Sequence, residues 1–309
     1  MGLGQGPGRD HLSDFGDIFA GYEAVRARLP EAGPGGACAP ARDLSEIADG
    51  FDIFLLDAFG VLNVGDGAIP GAVERVHALR DAGKRVLVVS NAAGFPHAKL
   101  MEKYDRLGFG FAPEDVVTSR KALLAALTGE AGRHWGVMAN PDLGRADLEG
   151  LDLRFLGDDP ADYEAAEGFL LIGSAIWTEA RQDRLVRALR DRPRPVLVGN
   201  PDLAAPRENG ASREPGHWAH ALADATGVAP RFHGKPFADI FDLAFDRLGH
   251  RPGRRALMVG DALHTDVLGA QVAGVASALV TGHGLLKGRD VAGAIAASGI
   301  RPDFVVETT

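Results

Sequence analysis

Residues 51–62, FDIFLLDAFGVL, hold the reading that decides the fold. Six nearly all apolar residues lead straight into an acid, Asp57, followed by Ala58, Phe59 and Gly60. A strand buried on both faces of a parallel sheet reads this way, as a continuous apolar run rather than an alternating one. Runs of the same kind recur at 85–90 (RVLVVS), 168–172 (GFLLI), 196–199 (VLVG), 256–260 (ALMVG) and 276–280 (ASALV). Each has the length of a strand, and they tend to end in Asp, Ser, Asn or Gly.

Helical patterns lie between these runs, at 70–81, 96–107, 118–127, 179–190, 216–226, 237–248 and 265–273. Pro70, Pro96 and Pro236 stand where a first helical turn tolerates proline, and Gly83, Gly108 and Gly227 stand just past helix ends. Strand alternating with helix implies βαβ units, hence an α/β fold built on a doubly wound parallel sheet. From about 129 to 213 the rhythm changes. Strand candidates at 135–139, 153–156, 168–172 and 196–199 alternate with loop-rich joints, NPDLGRAD and NPDLAAPRENG. This stretch reads as a smaller α/β domain inserted into the first, whose core then comprises 1–128 and 214–309. Residues 1–45 form an N-terminal extension of that core, with one amphipathic helix expected at 13–29.

Composition narrows the function. The chain has 309 residues, with 33 Lys and Arg against 42 Asp and Glu, a net charge of −9 that argues against nonspecific nucleic-acid binding. An anionic substrate would have to be held by local charge, a metal ion or backbone N–H groups. The single cysteine, Cys38, excludes a disulfide framework and a cysteine-based zinc site. No apolar run approaches the ~18–20 residues needed to span a bilayer. The opening MGLGQGPGRDHLSDFGDIF lacks the basic start and apolar core of a secretory signal, so the expected compartment is the cytosol and no membrane partner is expected.

Ligands of an open parallel sheet bind at the carboxyl ends of its strands. Asp57 follows the first run, Ser90 and Asn91 end the second, and Asp261, His264 and Asp266 follow the run at 256–260. Lys235 opens a helix in HGKPFADIF. Each alone has a plainer reading: Asp57, Ser90 and Asn91 as helix N-caps, Asp266 as a first-turn acid, and Lys235 as a solvated loop lysine. Together they bring carboxylates, a hydroxyl, an amide and an ammonium to one rim.

In that order, the segments FLLDAFGVLNVGDGAIPGA, VVSNAAG, HGKPFADIFDLAF and VGDALHTDVLGA resemble the haloacid dehalogenase-like superfamily of phosphotransferases and hydrolases. Within it the chain is similar to the class IIA group that includes pyridoxal phosphatase and 4-nitrophenyl phosphatase. The likeness covers nearly everything from Phe51 onward, including an insert where that group carries its α/β cap. It implies a Mg²⁺-dependent phosphoryl hydrolase acting on a small phosphorylated metabolite. Asp57 would be the nucleophile, Ser90 and Asn91 would bind the phosphoryl oxygens, and Lys235 would neutralise them. Asp57, Asp261 and the backbone carbonyl of Phe59 would hold the metal, with Asp266 supporting Lys235 and the metal's outer shell. Similarity alone suggests a homodimer through the cap.

One position departs from the pattern. The typical phosphatase of this superfamily has a second Asp two residues after the nucleophile, acting as general acid and base; here Phe59 stands there. Loss of such a group costs about 10²–10⁴ in rate. Turnover could be slow, or Asp66, His264 or a cap residue could supply the proton. Alternatively, the site could have become a phosphate-binding or regulatory one. A further alternative is the L-2-haloacid dehalogenase reading, since those enzymes carry an aromatic at the same position. Against it stands Asp261: two facing carboxylates without a cation would raise the nucleophile's pKa. Asn200 and Asp202, in GNPDLAAP, are candidates for the substrate side, as is His264, against the plainer reading of a proline-stabilised turn. His217 and His220 share a helix face but lack a carboxylate or cysteine partner. Trp135 and Trp177 read as core or interface anchors.

Overall fold

The structure, a computed structural model, describes residues 15–130, 132–207 and 210–309. Seven strands form one sheet in the order Ala39–Asp43, Phe304–Thr308, Ala276–Val280, Ala256–Gly260, Ile53–Leu56, Arg85–Ser90 and Val116–Thr118. Every neighbouring pair is parallel. The buried runs divide their side chains between two cores. Phe54, Leu56, Val86, Val88, Leu257 and Val259 face the helices Ala72–Asp81 and His97–Arg106. Ile53, Leu55, Leu87, Val89, Ala256 and Met258 face Ala238–Leu248 and its Ile240, Phe241 and Phe245. Helices on both faces make the sheet doubly wound, and this is why its central strands are apolar at every position.

After the edge strand Ala39–Asp43, the chain enters the middle of this sheet. From Ile53–Leu56 it winds outward to one side, and later it returns to the other side at Ala256–Gly260. These two adjacent strands form the topological switch point, where the loops diverge and leave a crevice. Asp57 and Asp261 are the residues that follow them.

A second, five-stranded parallel sheet has the order Arg231–Phe232, Val196–Val198, Gly168–Leu171, Trp135–Met138 and Leu153–Phe155. Here the structure corrects the expected boundary at 213. Helix Pro215–Thr226 packs Trp218, Ala219 and Leu222 against Leu171, Leu185, Val196 and Val198, so it belongs with this sheet. Its amphipathic pattern looks like that of any core helix, and the two-residue strand after it has no apolar run to announce it. The sheet's last strand therefore ends three residues before Lys235. Trp135 and Trp177 are buried core residues of this unit.

Other differences are local. Ala39–Asp43, within the stretch expected as an extension, is the edge strand of the large sheet, where Pro40 leaves no ladder partner unmet. Residues 13–14 of the expected helix 13–29 lie outside the described residues; the helix runs Phe15–Ala24, with a further turn at Arg26–Arg28. Pro70 and Pro236 precede their helix caps and Pro96 is itself a cap, so these prolines mark helix entries rather than first turns. The pattern at 265–273 begins as a π-helical turn, Leu263–Val267, before α-helix Leu268–Ala273.

Phe54 is fully buried between strand and helices, so Phe54→Ala should lower unfolding free energy by about 3–5 kcal/mol. Phe95→Ala, at an exposed side chain, should change it by no more than about 0.5 kcal/mol. Urea unfolding midpoints of the two variants check the pair.

Candidate active site

Asp57 is held by the sheet itself: its N–H donates to the Val259 carbonyl at 2.9 Å, extending the strand pairing one residue beyond Leu56. The chain then reverses. Leu62 and Asn63 both donate to the Ala58 carbonyl, and Gly60 takes a φ of +76°. A short antiparallel hairpin, Asn63–Val64 with Gly67–Ala68, follows, and Asp66 stands exposed at its tip. Phe59 is half-buried in the turn.

Asp261 ends the neighbouring strand, and its Oδ2 accepts from Leu285 N–H at 2.9 Å. Two glycines of positive φ make room for it. A Cβ on Gly60 would lie 2.5 Å from Asp261 Oδ2, and one on Gly284 would lie 1.7 Å away. Asp266 comes from the π-helical turn, where Asp266 and Val267 N–H both donate to the Ala262 carbonyl. The wide turn points its carboxylate back at Gly260, where a Cβ would sit 2.0 Å from Asp266 Cγ. Such turns often mark functional positions.

Lys235, 2% exposed, joins the two sides. Its Nζ donates to Asp57 Oδ1 at 2.6 Å and to Asp266 Oδ1 at 2.7 Å. Asn91 fixes its backbone: the amide oxygen accepts Lys235 N–H at 2.8 Å, and Nδ2 donates to the Lys235 carbonyl at 2.9 Å. The same Nδ2 also donates to Asp202 Oδ1 at 2.8 Å. The Asn91 side chain is thus committed to holding the lysine loop. Its two side-chain donor contacts and its acceptor are engaged within the protein, so the expected phosphoryl contact of Asn91 would have to share that amide or come from outside it. Ser90, at the end of its strand, is buried beside this group.

Asp202 therefore joins the site, while Asn200 supports it from one turn away, accepting Asp202 N–H at 2.9 Å and donating to Glu214 at 3.3 Å. His264 points elsewhere. Its ring stacks on Tyr22 at 4.8 Å between centroids, and Nε2 pairs with Glu23 at 2.5 Å. That arrangement places it against the N-terminal helix rather than in the carboxylate cluster. His217 and His220 hold no metal-like set either. Burial lowers both to about 4, and His220 stacks on Phe232. Tyr22, Glu23 and Glu214 carry no motif, and the sequence offered no signal that they border the site.

Asp57, Asp261 and Asp266 lie with carboxylate oxygens within 4.8 Å of one another, all buried. Burial raises Asp57 to about 6, with Lys235 opposing and Asp266 adding to the rise. Burial also lifts Asp261 well above the usual carboxylate range, reinforced by Asp266 and Asp57. Asp202 is raised to about 7 by burial. Burial disfavours the charge on Lys235, but Asp266 and Asp57 outweigh it and keep the amine protonated above its ordinary range. Fully ionised, three carboxylates against one ammonium would leave a deficit of two positive charges, which burial counters by favouring the protonated forms of Asp57 and Asp261. A divalent cation fits this deficit, and an all-oxygen donor set suits hard ions such as Mg²⁺.

Comparison with known proteins agrees with this geometry. The family model for haloacid dehalogenase-like hydrolases matches residues 54–153, and a second, HAD-hydrolase-like model matches 232–309. Chronophin of Bos taurus is 32% identical over 267 residues, covering 82% of this chain and 89% of the relative. Glycerol-3-phosphate phosphatase of Homo sapiens is 30% identical over 292 residues, covering 83% and 88%. Among solved structures, the glycerol phosphate phosphatase of Mycobacterium tuberculosis in complex with magnesium aligns with a TM-score of 0.67 and 28% identity. That alignment covers 84% of this chain and 75% of the other.

Gly284→Ala should force Asp261 aside and weaken Mg²⁺ binding at least tenfold by calorimetry. A second expectation concerns pH. Carboxylates whose folded pKa is raised favour the native state when protonated, and that stability is lost as pH rises from about 4 towards 7. A bound divalent cation reverses the penalty but must displace those protons. The Mg²⁺-induced rise in Tm should therefore be larger at pH 7.5 than at pH 5.5 in thermal unfolding scans. His217 and His220, held neutral by burial, give the opposite pH slope with or without metal, so the metal-induced difference is the quantity to compare.

Proposed function

The chain belongs to the haloacid dehalogenase-like hydrolase family, and from that premise we propose that it is a Mg²⁺-dependent phosphatase of small phosphorylated metabolites, working through an aspartyl-phosphate on Asp57. The observation that carries the reading is the buried cluster at the switch point: Asp57 with Lys235 at 2.6 Å and two further carboxylates beside it. The phosphatase names of the relatives support the substrate class.

Asp57 Oδ forms the bond to phosphorus as the bond from phosphorus to the leaving oxygen breaks. Lys235, fixed by Asn91 and Asp266, keeps Asp57 ionised and places its positive charge against the transferred oxygens. Ser90 donates its hydroxyl to one of them. Asp57, Asp261 and the Phe59 carbonyl would hold Mg²⁺, which when bound would supply positive charge against the transferred phosphoryl group. Water then attacks phosphorus, releasing phosphate and restoring the Asp57 carboxylate. The unit built on the five-stranded sheet serves as the cap that shields this chemistry. Because Phe59 cannot donate a proton, leaving groups that depart as stable anions, such as nitrophenolate or acetate, should react fastest.

Phe59 is also the observation that favours a second reading, a binding protein that kept the metal site and lost turnover. One set of assays separates the two. Hydrolysis of p-nitrophenyl phosphate and acetyl phosphate should require Mg²⁺, stop with EDTA, and vanish in Asp57→Asn. Phe59→Asp should raise turnover of alkyl phosphates by about 10²-fold or more. If nothing turns over while Mg²⁺ with phosphate still raises Tm, the catalytic reading fails and the binding reading replaces it.

A further inference from the structure

The N-terminal helix Phe15–Ala24 lies outside every motif, yet its Tyr22 is buried at the margin of the site. Two contacts fix it. The ring stacks on His264 at 4.8 Å with an interplanar angle of 6°, and His264 lies in the turn between Asp261 and Asp266. The hydroxyl oxygen accepts Leu203 N–H at 3.2 Å, and Leu203 follows Asp202 directly. Around the ring, Ile18, Leu203, Ala204, Leu263, Val267 and Leu286 form one apolar cluster with it. Burial drives the phenol well above its ordinary range, and the nearby carboxylates of Asp202, Asp266 and Asp261 drive it further, so it remains neutral. One residue later, Glu23 pairs with His264, and further on Arg28 pairs with Asp224 on the helix Pro215–Thr226.

These contacts connect the Asp202 segment to the Asp261–Asp266 turn by a route other than Asn91 and Lys235. On one side Tyr22 braces the turn that presents Asp266 to Lys235. On the other it braces the segment whose Asp202 takes the Asn91 amide, the group that holds the Lys235 backbone. We infer that Tyr22 is a positioning residue: from outside the four motifs, it fixes the Asp202 segment and the Asp261–Asp266 turn in the register that Lys235 needs. The inference rests on the phosphatase reading for its kinetic consequences and on geometry alone for its structural ones.

The test uses the full chain, with Tyr22→Phe and Tyr22→Ala measured for p-nitrophenyl phosphate turnover and for amide hydrogen exchange. Tyr22→Phe keeps the stacking and loses the acceptor. Exchange at Leu203 should rise about threefold to tenfold, the worth of one net hydrogen bond, with a similar fall in kcat. Tyr22→Ala loses both contacts. Exchange should then also rise through residues 262–267, and kcat should fall by up to about 10²-fold with a smaller change in KM. Amides of strand Arg85–Ser90 should keep wild-type protection in both variants. Unchanged kcat and unchanged protection at Leu203 in Tyr22→Ala would overturn the inference. So would a uniform loss of protection across the sheet, which would mean a purely structural role. If the wild-type chain itself fails to hydrolyse the ester, the phosphatase reading falls, and the exchange pattern still decides the positioning claim.

Discussion

The Lys235 ammonium, held between Asp57 and Asp266 in a buried crevice, is the interaction on which the rest of the structure depends. A buried cation survives only when paired and hydrogen-bonded, and a buried pair missing one partner costs about 3–5 kcal/mol. The lysine therefore needs both carboxylates, and the carboxylates need it. Each of the three comes from a different loop. Asp57 is placed by a strand, Asp266 by a π-helical turn and Lys235 by the joint where the second sheet ends and the last core helices begin. The balance is unequal, since Asp261 adds a third carboxylate that no ammonium meets. That excess suits a divalent cation, which would in turn poise the crevice for an anionic substrate.

The parallel sheet brings the three together because its topology reverses between Ile53–Leu56 and Ala256–Gly260. Small residues then allow the approach. Gly60 and Gly284 leave Asp261 its space, and Gly260 leaves Asp266 its own. The second sheet packs on the large one through Ala93, Leu123 and Leu127, and it is tied to this centre by the polar contact of Asp202 with Asn91. A polar tie of that kind couples the placement of the cap unit to the lysine loop.

Much of this was legible in the sequence, and the parts that were not have physical causes. The strands at 53–56, 85–90 and 256–260 announce themselves because burial on both faces demands unbroken apolar runs. Asp57, Asp261 and Asp266 could be found because they follow those runs at short offsets, and Lys235 because it opens a helix in HGKPFADIF. A side-chain amide suits a phosphate contact or a structural tie equally, and only the distances show the Asn91 amide engaged by Lys235 and Asp202. Tyr22 could not be found at all, since its partners lie about 180 and 240 residues away and no local pattern encodes such contacts. The edge strands Ala39–Asp43 and Arg231–Phe232 were missed for a different reason. An edge needs fewer buried side chains, so its sequence carries a weaker signal.

The central claim is that Asp57 forms a covalent bond to phosphorus in this crevice. Borohydride reduction of the protein during turnover of acetyl phosphate with Mg²⁺, followed by peptide mass spectrometry, reads that bond directly. Reduction of an acyl phosphate converts the aspartate to homoserine. The account predicts homoserine at position 57, present with substrate and Mg²⁺ and absent when either is omitted. Phosphate released without any reduction at Asp57, or with the change at another carboxylate, would contradict it.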